Sequence, residues 1–372
     1  MKIGIDARLI GETGVGRYIR NLIRELGDID SVNQYILFFR KRDYHTFSPP
    51  NDRWTKRLAD VSWHSVREQI VMPWLFTKEH LDLVHIPYFN APILYFGKYI
   101  ITIHDLTILQ TDTGKATTLP YFFYKIRRFG YRIVLGLGIM NARKIITVSK
   151  TVKDDIIKHF GINQDKIIVT YEGIDPNFLK KINIPTAKSS ISGDYFLYVG
   201  NVYPHKNIEL MLEAYREYQK AVKKSALLVF VGPDDYFYRR LAGVVYATEI
   251  QDHVLFLHDI GDVELHALYA NAIALLFPSR MEGFGLPALE ALAAGCPVIV
   301  SDIPIFREIL EDFATFVDTR KPGLLKDALV RISEHSTRRE MSNKIKPFLL
   351  RYNWHDLAVK TYDIYLRVGT TL

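Results

Sequence analysis

Short β-branched apolar runs alternate with longer amphipathic stretches through the first half of the chain. Strands are predicted at Lys2–Asp6, Tyr35–Phe39, Leu83–Ile86, Tyr99–Ile103, Lys144–Val148 and Lys166–Val169. Between the first two, Ile19, Leu22, Ile23 and Leu26 fall on one helical face. This alternation predicts an α/β fold, a parallel sheet covered by helices on both sides. The second half repeats the pattern, with strands predicted at Tyr195–Val199, Ala226–Val231, Val254–Leu257, Leu275–Pro278 and Val298–Val300. A mostly polar stretch from Lys180 to Asp194 reads as the linker. At 372 residues, two domains are expected, residues 1–184 and 185–352. The tail carries Trp354, Leu357, Ala358, Tyr362 and Tyr365 at helical spacing.

Hydrophobic residues make up 48% and charged residues 24%, the balance of a soluble globular protein. No run of eighteen apolar residues predicts a spanning helix, and the N-terminus reads as a strand interrupted by Asp6 and Arg8, not as a signal peptide. The lone Cys296 excludes an internal disulfide and fits a reducing cytoplasm. The net charge of +7 is uneven: residues 1–186 hold 27 Lys+Arg against 18 Asp+Glu, and the rest hold 21 against 23. A basic half implies an anionic partner. No helix-turn-helix, zinc or RNA-binding signature supports nucleic acid, so peripheral contact with an anionic membrane, at its inner face, is the expectation. From Lys115 to Lys144 cations alternate with aromatic residues and no acid intervenes. Two readings stand open: a segment lying among lipid headgroups, or a helix packing its aromatics inward beneath solvated cations.

The chemistry concentrates between Ser279 and Ser301, SRMEGFGLPALEALAAGCPVIVS. A glycine loop feeds a helix beginning near Leu286, with Pro287 in its first turn and Gly295 just past its end. Amides and a positive dipole end favour a phosphate there, while Glu282 and Glu290 suit hydroxyl groups. Phosphate flanked by hydroxyl-reading acids describes a nucleotide sugar. The first loop, Gly11-x-x-Gly14-x-Gly16-Arg17, is neither a dinucleotide fingerprint nor a P-loop. His104-Asp105 follows the Tyr99–Ile103 run, Lys206 follows Tyr195–Val199, and Asp234-Asp235 read as a turn with a helix cap. Asp262 reads as another helix cap.

MEGFGLPALEALAAGCPVIVSD resembles the Glu-x-seven-Glu signature of retaining GT-B glycosyltransferases, in particular glycosyltransferase family four. The resemblance implies a GT-B fold, two Rossmann-like doubly wound domains facing a central cleft, with the last helix, residues 353–372, crossing back onto the first domain. It implies that Glu282 holds the sugar, Glu290 grips the ribose and Lys206 neutralises the diphosphate. The loop of Gly283, Phe284, Gly285 and Leu286 would cradle that diphosphate. His258, Asp259 and Ile260 would meet the nucleobase, and Gly14 and Gly16 would lie over the donor. Asn201 stands where the family often has arginine. Arg17, His104 and Asp105 would border the acceptor, His104 near the reacting carbon. No metal or other cofactor is implied.

The N-terminal stretch with TIHDL is similar to bacterial mannosyltransferases of surface polysaccharide assembly. GDP-mannose is the favoured donor, and a glycan or polyprenyl-linked chain the acceptor. Nothing in the residues separates guanine from uracil, so UDP-glucose and UDP-N-acetylglucosamine stay open. A nicotinamide-dependent oxidoreductase and a two-lobed binding protein are the rivals. Nicotinamide binding would revive the first, and ligand binding without turnover the second.

Overall fold

The computed structural model describes residues 1–110, 121–180, 190–334 and 344–370. They divide into two compact units. In the first, seven parallel strands run β1 (Lys2–Asp6), β2 (Gln34–Phe39), β3 (Trp54–Leu58), β4 (Leu83–Ile86), β5 (Tyr99–Ile103), β6 (Lys144–Thr147) and β7 (Ile167–Val169). Their order across the sheet is β3-β2-β1-β4-β5-β6-β7. The order reverses between β1 and β4, the topological switch point where such sheets open a crevice at their C-terminal edge. Helix α1 (Gly14–Ile29) follows β1, α2 (Glu68–Lys78) precedes β4, α3 (Tyr121–Asn141) precedes β6 and α4 (Lys150–Phe160) follows it. Met72 and Phe76 of α2, Leu135 and Ile139 of α3 and Ile156 of α4 join Phe38, Val84 and Ile101 in one buried cluster.

The second unit holds six parallel strands: β8 (Tyr195–Val199), β9 (Leu227–Val231), β10 (Val254–Leu257), β11 (Ala274–Phe277), β12 (Val298–Ser301) and β13 (Thr315–Val317). Their order is β10-β9-β8-β11-β12-β13, so the reversal lies between β8 and β11. Helix α5 (Ile208–Ala221) follows β8, and α6 (Leu286–Ala293) lies between β11 and β12. β3 and β13 were not anticipated. Both are edge strands, and WTKRL buries only Trp54 fully, leaving no apolar run to find.

Helix α7 (Trp354–Gly369) belongs to the first unit, where it packs against α1, β4 and β6. Asn353 caps it, accepting from Asp356 N at 2.7 Å. Its buried side holds Trp354, Leu357, Ala358 and Tyr365. Residues 174–180 belong to the second unit, where Ile174 N donates to the Tyr352 carbonyl at 2.9 Å. The polar stretch around residues 181–189 lies outside the described residues.

Candidate active site

In the second unit the two loops at the switch point are tied together. Arg280 N, after β11, donates to the His205 carbonyl, after β8, at 2.7 Å. Pro204–Lys206 forms a short 3₁₀ turn that ends on Asn207, in the left-handed region at φ 60°. This turn buries Lys206, only 8% exposed, and aims its ammonium at Glu282 Oε1, 2.6 Å away. The Phe277 ring centroid lies 5.3 Å from the same nitrogen. An ammonium has three donors, and this is its single hydrogen bond among the described residues. Asn201 Oδ1, both polar side-chain atoms of Asn207 and Ser279 Oγ are also buried with no partner among them. Buried polar groups are normally satisfied, so these atoms have hydrogen-bonding capacity that the described residues leave unused.

The loop then enters α6 through Gly285, whose φ of 95° is left-handed. A Cβ there would stand 3.0 Å from the Phe306 ring, so only glycine takes the turn without strain. Phe284 is buried and edge-on to Tyr352, with Gly283 beside it, and Leu286 and Pro287 open the helix. Amides of a helix's first turn have no intrahelical partner, and its dipole adds positive potential. Glu290, a turn further on, is buried and accepts from Tyr269 Oη at 3.1 Å. Glu282 and Glu290 thus meet different surroundings: one faces a cation at the loop, the other a phenol under the helix.

Neighbouring strand ends complete this edge. Gly200 O accepts from Tyr238 Oη at 2.6 Å, and His258 Nδ1 lies 2.9 Å from Gly232 O. Asp259 sits at φ 54°, beside a half-buried Ile260. Asp234 and Asp235 part company. The first pairs with Arg239, and the second caps the next helix by accepting from Phe237 N and Tyr238 N. Asp262 is not a cap: Gly261 holds that position and Asp262 enters the first turn, where its charge suits the dipole.

In the first unit, Gly14 and Gly16 are not in a loop. Helix α1 starts at Gly14, so both stand in its first turn, followed by Arg17. A Cβ on Gly16 would meet the Ile10 carbonyl at 2.5 Å, which is why this turn can close over residues 7–10. His104, past β5, has Nδ1 3.2 Å from Glu172 Oε1 and Nε2 3.1 Å from Pro87 O. Tyr18 packs edge-on to it at 4.9 Å. Its ring is therefore held from both nitrogens by protein oxygens. Asp105 turns to its own loop, accepting from Thr107 N at 2.8 Å.

Sequence reading missed the first unit's own buried ion cluster at β1 and β4. Arg8 donates to both Asp6 oxygens, at 2.8 and 2.6 Å, and to Glu68 Oε1 at 2.6 Å. Glu68 Oε2 accepts from His64 N at 2.8 Å and from Asn90. Burial pushes the Glu68 carboxyl above its usual range, against the pull of Arg8. On β4, His85 joins Tyr365 Oη at 2.6 Å to Thr102 Oγ1 at 2.8 Å, linking α7 to the sheet.

Residues 13–178 match the family described as Glycosyltransferase Family 4, and residues 185–347 match Glycosyl transferases group 1. The chain is a glycosyltransferase, its two halves matching these two families in turn. It is 28% identical over 364 residues to the O-antigen chain mannosyltransferase RfbU of Salmonella typhimurium, covering 91% of this chain and 96% of that one. Sucrose-phosphate synthase from Thermosynechococcus elongatus superposes with a TM-score of 0.75 at 20% identity, over 99% of this chain and 98% of that one. HepE from Anabaena, solved with UDP and glucose, gives 0.72 at 14% identity, over 99% and 100%. These likenesses place the glycosyltransferase's two sheets in the GT-B fold.

Proposed function

We propose that this glycosyltransferase moves mannose from GDP-mannose, with retention, to a glycan or polyprenyl-linked acceptor of a cell-surface polysaccharide. The observation that carries the donor reading is the half-used Lys206 among unsatisfied Asn201, Asn207 and Ser279, beside the mouth of α6. The sugar rests on the likeness to RfbU, a mannosyltransferase of an O-antigen chain. Charge develops on the leaving diphosphate as the anomeric C–O bond breaks. Donors already aimed at that oxygen lower the barrier most. Lys206 and the α6 amides do this, Glu282 anchors sugar hydroxyls once Lys206 turns to the phosphates, and Glu290 takes the ribose diol. Asn201 and the 258–260 turn border the nucleotide. His104 meets the sugar near its reacting carbon, through its backbone or by leaving Glu172. Arg17 and Asp105 border the acceptor, whose proton passes to a phosphate oxygen during same-face attack. The reaction takes place at the inner face of the plasma membrane, where a polyprenyl-linked acceptor resides.

A thermal-shift panel of GDP, UDP, ADP and their sugars, followed by turnover of the stabilising donor, tests this. GDP-mannose should raise the melting temperature most and be consumed. Preference for UDP-glucose or UDP-N-acetylglucosamine would replace the sugar and keep the site, whereas indifference to every nucleotide would end the donor reading.

A further inference from the structure

The apolar side chains that α2 and α3 turn away from the sheet are as regular as those they bury. On α3, Leu135 and Ile139 enter the core, as does Ala142 just past its end, while Ile126, Phe129, Ile133, Leu137 and Met140 recur every three or four residues on the opposite side. All five are exposed, Phe129 by 67% and Met140 by 62%. On α2, Met72 and Phe76 are buried while Ile70 and Trp74, four residues apart, are exposed, as is Val66 just before the helix. Between the helices a turn offers Leu94 and Phe96, the latter 92% exposed.

These three sets lie on one side of the sheet, because their buried counterparts share a single core cluster. The parts are also stitched together. Ile93 N donates to Gln69 Oε1 at 2.8 Å, and His64 stacks edge-on against Tyr131 at 4.5 Å. A helix that is apolar on both faces has a second apolar neighbour.

Charge says what that neighbour is. Lys125 and Arg132 stand exposed on α3, Arg143 just beyond it, and Arg67 and Lys78 at the ends of α2. The Lys78 ammonium lies over the Trp74 ring, 5.0 Å from its centroid, a cation held against an aromatic face. No Asp or Glu occurs between Asp112 and Asp154. The acids of α2 and its end are spent elsewhere: Glu68 on Arg8, Glu79 on Lys2 and Arg57. A second copy of this face would bring cation against cation. We infer that α2, the 93–97 turn and α3 form one surface that seats on a lipid bilayer with anionic headgroups, its apolar stripes entering the acyl boundary beneath a ring of lysine and arginine. This deepens the reading of a lipid-linked acceptor by giving the bilayer a defined place on the protein. Of the two readings left open for residues 115–144, it takes the lipid one for the described part. Residues 115–120 and the side chains of Tyr121–Tyr124 and Arg127 lie outside the description.

Flotation of the full chain with vesicles decides it. Vesicles of phosphatidylethanolamine with phosphatidylglycerol should carry the protein at low salt, and phosphatidylcholine alone should carry far less. Added salt should weaken binding, because it screens the cations. Phe129→Glu with Met140→Glu should cut partitioning about tenfold or more without lowering the melting temperature, since both side chains are exposed. Arg132→Glu with Arg143→Glu should abolish the preference for the anionic vesicles. The proposal falls if the wild-type chain stays unbound at low salt, or if the Phe129/Met140 variant floats as well as wild type. It falls too if that variant instead dissolves a dimer seen by sedimentation, which would give the face to a second copy. Melting shifts with GDP-mannose should be equal in all variants. Their absence throughout would count against the donor reading alone and leave the vesicle result standing.

Discussion

Each sheet places buried charge where its strand order reverses, and the two places are built differently. In the first unit Arg8, Asp6 and Glu68 form a closed set, in which every carboxylate oxygen and the guanidinium are used. In the second, Lys206 and Glu282 share one hydrogen bond, and polar atoms of Asn201, Asn207 and Ser279 stand unsatisfied nearby. Burying charge costs several kcal/mol per ion unless partners restore what water supplied. A saturated cluster recovers that cost within the fold. A half-saturated one recovers it only when something else binds, and this separates a structural ion cluster from a site. Equal burial can therefore mean opposite things, and the unfilled bonds tell them apart.

The sharpest test of the contrast is a pair of single substitutions. Lys206→Ala should lower turnover about a thousandfold, because one cation about 4 Å from a diphosphate, at an effective dielectric near 20, is worth about 4 kcal/mol. Steady-state kinetics with the identified donor checks this, and a loss below tenfold would return Lys206 to a structural role. Arg8→Ala leaves Asp6 and Glu68 buried without their cation. It should lower stability by about 3–5 kcal/mol in urea unfolding, while nucleotide binding to the second unit survives.

A smaller effect belongs to the first unit alone. Burial, with the charge of His104 adding to it, pushes the His85 ring down to about 3 from 6.5. As the pH falls from 6.5 towards 3, the unfolded chain takes up a proton that the folded chain refuses. Stability should therefore fall over that window by up to about 1.4 kcal/mol per pH unit, and be fully present above 6.5. His85→Gln should flatten that slope in urea titrations at successive pH values. Smallest are the helix caps. Ser149 accepts from Val152 N in the first unit and Asp235 from Phe237 N in the second. Alanine at either should cost about 1 kcal/mol, and calorimetry should show each loss in its own unit.

What the sequence revealed follows from the range of the forces involved. Central strands such as β5, buried along their whole length, announce themselves as apolar runs, and Gly285 and Pro287 mark the start of α6 by local geometry. Edge strands β3 and β13 carry no such run. Pairings across the chain were hidden: Lys206 and Glu282 lie 76 residues apart, Arg8 and Glu68 60, His104 and Glu172 68. Nothing local in a lysine says which carboxylate it will meet. Gly14 and Gly16 misled for a related reason, since two glycines suggest a loop until the tight approach of Ile10 is seen.

Helix α7 has a further consequence, for the order in which the molecule can be made. Residues 353–370 leave the ribosome after all of the second unit, yet Trp354, Leu357 and Tyr365 fill the interior of the first. The earlier-made lobe must wait, its sheet uncovered beside α1, while the later-made one closes. A released chain ending near residue 352 should thus hold a finished second unit and an unfinished first one, open to chaperones.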